Sequence, residues 1–175
     1  MKLRTDTRIP GFSDPLGETL QLLRLTGTLY CRSELTAPWG IDMPPFEGYM
    51  MFHVITGGHC WLEVEGEEPR LLQQGSLALV AHGHGHCIRS DPSDAVVPLF
   101  DIPVEQISDR YEIMRYGGAG QLTQLTCGVV RFDHVAGRQL IALLPRVLHI
   151  DASNDDEGSW LQSTLRFIAR EAGEL

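Results

Sequence analysis

The chain has 175 residues, 43% hydrophobic and 21% charged, the makeup of a single globular domain large enough to bury its own core. Fourteen Lys and Arg stand against 23 Asp and Glu, a formal net charge of −9. A surface that holds nucleic acid by itself is normally basic, so this chain alone is not expected to bind DNA.

No apolar run approaches the roughly 20 residues that cross a bilayer, and no apolar stretch of the secretory-signal kind follows Met1–Arg8. Cys31, Cys60, Cys87 and Cys127 have no paired spacing, so they read as reduced, mostly buried thiols of a cytoplasmic protein.

In chain order, residues 14–27 read as a short helix capped by Asp14, with Pro15 at its first position and Gly27 at its end. Leu16, Leu20 and Leu23 mark the face that packs on the outside of the fold. Strands follow at 28–35 and 39–43, then the loop 44–48. The runs 50–55 and 60–65 flank Gly57-Gly58, a dipeptide suited to a two-residue hairpin turn. That register pairs His53 with Leu62 and Ile55 with Cys60, and places His53, Ile55, Cys60, Leu62 and Val64 on one inner face. Glu63 and Glu65 face water.

A second hairpin leads to Gly75, a buried strand carrying Leu77 and Leu79, and a tight turn at Gly83 and Gly85 that aims His86 inward. Residues 90–94 form a turn cluster, and 91–120 read as loop-rich with room for one more strand. Residues 125–132 are a strand; Asp133 then caps a short helix bearing Leu140, Leu143 and Leu144, stopped at Pro145. The acidic run 151–157 opens a last helix, where Trp160, Leu161, Leu165, Ile168 and Ala172 recur at helical spacing. The chain thus divides into a body of residues 1–150 and a terminal helix in 151–175.

The spacing of Gly75, Ala81, Gly83 and His86 resembles the second motif of the cupin superfamily, with Ala81 where a proline is usual. The resemblance implies a mainly β fold, a double-stranded β-helix barrel with an N-terminal helix and C-terminal helices. Cupin enzymes hold a metal with a glutamate and histidines of a first motif plus one histidine of the second. Here the glutamate slot falls on Met50 or Met51, and the histidine slots fall among Met43, Pro44, Pro45, Phe46 and Glu47. Three of four ligands are missing, so the chain reads as a non-enzyme with no cofactor. The alternative is a small metal-dependent cupin enzyme, a dioxygenase or isomerase, whose transition metal is held by His53, Cys60, His84 or His86. The expected ligand-binding residues are Trp39 near the barrel mouth with His53, Cys60 and His86 inside it.

Several segments resemble, in the same order, the N-terminal cupin-like regulatory domain of AraC-type bacterial transcription regulators. They include Leu29-Tyr-Cys-Arg-Ser-Glu-Leu35, Ala37-Pro-Trp-Gly40, Gly58-His-Cys-Trp-Leu62, Cys127-Gly-Val-Val-Arg-Phe-Asp-His134 and Leu144-Pro-Arg-Val-Leu-His149. That resemblance implies a small-molecule effector in the barrel and a homodimer. It also implies control of a C-terminal DNA-binding domain that this chain lacks, so DNA is contacted only through that domain. For the dimer, the expected surface is the stripe Leu161, Leu165 and Ile168.

Overall fold

The computed structural model describes residues 25–132 and 135–151. Twelve strands run in the order β1 (Leu25–Thr36), β2 (Gly40–Met43), β3 (Tyr49–Gly57), β4 (His59–Val64), β5 (Arg70–Gln73), β6 (Leu77–Val80), β7 (His86–Arg89), β8 (Val97–Pro98), β9 (Val104–Ser108), β10 (Tyr111–Gly117), β11 (Leu122–Phe132) and β12 (Val147–Ile150). A 3-10 turn at Leu99–Asp101 and one helix, α1 (Val135–Ala142), complete the described elements.

The strands make two sheets. One has seven strands in the order β12-β6-β3-β11-β1-β10-β9, and the other has five in the order β5-β4-β7-β2-β8. Their inner faces bury Leu35, Ile41, Ile55, Leu62, Leu72 and Ile88 between them. Such alternating inward residues hold two facing sheets together by burial of apolar area. The mainly β expectation holds, but among the described residues no ladder closes the two sheets into one barrel.

The hairpin expected at Gly57-Gly58 is not formed. β3 pairs with β11 and β6, whereas β4 pairs with β5 and β7 in the other sheet. Only Gly58 has positive φ, at 73°, and a Cβ there would lie 2.7 Å from the Leu122 carbonyl oxygen. The dipeptide is a corner that carries the chain between sheets. His53, Ile55, Cys60, Leu62 and Val64 are nevertheless all buried. Alternation along each strand is local and survives the change of partner. The second hairpin, β4 with β5, is present.

Other elements depart from expectation. Leu25–Gly27 belong to β1 rather than to a helix end, and the rest of the predicted N-terminal helix lies outside the described residues. Residues 91–120 hold two full strands, β9 and β10, because β10 adds in parallel to β1 and β9 covers its far edge. The helix after residue 134 ends at Ala142, so Leu143 falls beyond it and is 85% exposed. β12 was not foreseen as a strand; it extends the sheet beyond β6. Asp133 and the last helix, with Leu161, Leu165 and Ile168, lie outside the described residues.

The turn between β6 and β7 positions His86 and depends on Gly83. Its φ is 65°, and an added Cβ would overlap the Phe46 carbonyl oxygen. The Phe46 amide in turn donates to the Gly83 carbonyl at 2.9 Å. Gly83→Ala is therefore expected to cost about 2 kcal/mol or more, read as a lowered urea midpoint at unchanged slope.

Candidate functional site

The site is a row of side chains crossing the inner face of the seven-stranded sheet. Register places Glu112 (β10) opposite Cys31 (β1), Cys31 opposite Cys127 (β11), and Cys127 opposite His53 (β3). Directly opposed residues point to the same face, so these four project together toward the other sheet. There His86 of β7 meets His53, with their Nε2 atoms 2.7 Å apart and the rings edge to face at 4.9 Å.

The proton positions along this row follow from the acceptors at its far end. His86 Nδ1 lies 3.2 Å from the His84 carbonyl oxygen, which can only accept, so Nδ1 carries the hydrogen. A neutral His86 then has a bare Nε2, and His53 donates to it from its own Nε2–H. That leaves His53 Nδ1 bare, 3.0 Å from Cys127 Sγ, and the thiol donates to it. Each hydrogen bond in the chain Cys127, His53, His86, His84 has one donor and one acceptor without any ionised group.

Burial supports the neutral assignment. It holds His53 well below the usual histidine range, with the neighbouring His86 adding to the effect, and brings His86 down to about 4. Desolvation pushes Cys127 well above the usual thiol range, Cys60 up to about 12 and Cys31 up to about 11. Glu112 is also raised, first by desolvation, with the Cys31 thiol opposing through a hydrogen bond. Taking a charge out of water disfavours the charged form in every case.

Beside the row lies a cavity of about 50 Å³. Leu29, Met43, Met51, Leu99, Met114 and Val129 make much of its wall, and Cys31, Ser33, His53, Glu112 and Cys127 supply its polar atoms. Of the residues expected to bind a ligand, His53 alone lines this cavity. His86 stands behind it, and Cys60 is fully buried in the core. Trp39 is 2% exposed rather than set at a mouth, and its indole N–H has no partner among the described residues. Glu112, Cys31 and Cys127 were missed. A usable signal was the run Tyr111-Glu-Ile-Met-Arg-Tyr116, in which Glu112 alternates with Met114 in β-prone company.

In this arrangement the two core histidines bond each other. A tetrahedral zinc takes four ligands, but here two ring nitrogens are spent on each other and Cys127 approaches Nδ1 of His53, the other nitrogen. His84 reaches the pair through its carbonyl, while its ring packs on that of His82 at 5.8 Å. Among the described residues no three His, Cys, Asp or Glu side chains are grouped to hold an ion.

Comparison with known proteins gives one family and a set of distant structural likenesses. No curated protein matches the chain. Among solved structures, a protein described as glyoxylate-induced from Pseudomonas aeruginosa is 17% identical at a TM-score of 0.43, covering 71% of this chain and 38% of that one. The protein YhaK from Escherichia coli is 11% identical at 0.38, covering 68% and 39%. ToxT from Vibrio cholerae, solved with an unsaturated fatty acid bound, is 12% identical at 0.39, covering 72% and 41%. The chain therefore spans about two fifths of the length of each of these proteins. The family profile described as Cupin matches residues 14–175, nearly the whole sequence, and the chain belongs to the cupin family.

Proposed function

We propose that this cupin domain is the effector-sensing part of an AraC-type transcription regulator, binding a small molecule between its two sheets. The observation that carries the reading is the cavity itself: an apolar chamber with a few convergent polar groups, set beside a hydrogen-bonded row that spans both sheets. The ordered AraC-like segments supply the regulatory half of the proposal, and the net charge of −9 supports DNA contact through another domain. In this reading the domain is not an enzyme, and it acts as a homodimer through Leu161, Leu165 and Ile168.

The second reading, a metal-dependent cupin enzyme, is favoured by one feature, the histidine pair in the core. Protein purified without an affinity tag separates the two. The sensor reading expects small molecules that raise the melting temperature of the wild type but not of a cavity-filling Met114→Trp variant. One tightly held iron, manganese or nickel per chain, with turnover, would favour the enzyme instead. For the assembly, the wild type is expected to sediment as a dimer and Leu165→Glu as a monomer; a Leu165→Glu dimer removes this stripe from the interface.

A further inference from the structure

Glu112 is the one formal charge in the described wall of the cavity, where no Lys or Arg contributes. It has no ion-pair partner among the described residues, while Glu34, Glu63, Glu67 and Glu105 each meet an arginine. Its cross-strand neighbours are Cys31 on one side and Gln106 on the other, so nothing cationic flanks it in the sheet.

The remaining polar groups of the wall are already engaged. Both nitrogens of His53 are bonded, one to Cys127 and one to His86, which also occupies the Cys127 thiol. Ser33 Oγ lies 3.5 Å from Cys31 Sγ. Glu112 accepts from the Cys31 thiol, but a carboxylate has further lone pairs to offer, so a ligand's polar end finds its strongest partner there and the rest of the ligand meets apolar wall. Three of the wall residues are methionines, whose unbranched chains adjust to irregular shapes. A volume of about 50 Å³ limits the inserted part to a few heavy atoms.

We propose that the cavity binds a small apolar primary amine, with Glu112 as the anchor of its ammonium group. The proposal deepens the sensing reading and rests on it. A carboxylate of the same carbon skeleton would meet like charge and no donor able to replace its lost water, so it is selected against. The partly desolvated carboxylate is raised in pKa by its surroundings, and an ammonium ion beside it would offset that cost.

The test uses three four-carbon probes, butylamine, 1-butanol and butyrate, titrated by thermal shift and ligand-observed NMR into wild type and Glu112→Gln. Butylamine is expected to bind at least about tenfold more tightly than butyrate, and Glu112→Gln is expected to bring it within about twofold of butanol. Continued binding of butanol to Glu112→Gln shows that the cavity is intact. Butyrate binding as tightly as butylamine, or butylamine indifferent to Glu112→Gln, overturns the amine anchor and leaves the sensing reading standing. Failure of all three probes to bind the wild type overturns the cavity as a ligand site, and both readings with it.

Discussion

His86→Leu is expected to lower the unfolding free energy by about 2–4 kcal/mol, because it leaves the His53 Nε2–H without an acceptor in the core. His53 is 1% exposed and His86 3%, so water cannot take over the lost bond without opening the sheets. His53→Ala should cost more, about 3–5 kcal/mol, since it adds a cavity and strips partners from both His86 and Cys127. The double variant His53→Leu/His86→Leu removes donor and acceptor together and should recover part of the loss. In a double-mutant cycle the two substitutions are then far from additive. Additive costs measured by urea unfolding would show that the two rings do not bond each other in the folded protein. The histidines are thus expected to act on stability first, rather than as free anchors for a ligand.

The pH profile of stability follows from the same pair. An unfolded histidine takes up a proton near pH 6.5, whereas folded His86 does so only near 4 and His53 also resists. Between those values the unfolded chain binds more protons, so stability rises with pH and is lost as the solution is acidified. Each histidine contributes about 1.4 kcal/mol per pH unit in its window, which for His86 amounts to on the order of 3 kcal/mol by pH 4. The thiols act on the other side. Cys31 and Cys60 ionise near 11 and 12 when folded, against an ordinary value of 9.0, so stability falls again as pH rises above about 9. Urea midpoints should therefore form a plateau between about pH 6.5 and 9. His53→Leu/His86→Leu should flatten the acid arm and leave the alkaline arm in place. An acid arm of unchanged steepness in that variant would assign it to other groups.

The inner face was legible wherever it depended on alternation alone. His53, Ile55, Cys60, Leu62 and Val64 are buried as their period of two requires, although the hairpin drawn to connect them does not exist. Pairing is a non-local property, and Gly57-Gly58 is as serviceable for a corner between sheets as for a tight turn. The same limit hid most of the site. Cys31 is far in sequence from Glu112 and Cys127, and the three come together only through the register of β10, β1 and β11. Glu112 was further obscured because β10 lies in a stretch rich in proline and glycine, whose strands depend on neighbours already in place. Met43, Met50 and Met51 were legible as lost metal-ligand positions, yet that reading did not show that Met43 and Met51 wall a cavity with Met114.

Those methionines allow the ligand site to be tested directly. In protein labelled with ¹³C at the methionine methyls, Met43, Met51 and Met114 report on the cavity, and Met50, which alternates with Met51 along β3, reports from the opposite face. Titration with butylamine is expected to shift the three cavity methyls together, along one binding curve, and to leave Met50 in place. Cavity methyls that stay fixed while the amine binds, or a Met50 shift as large as theirs, would contradict a ligand site between the two sheets.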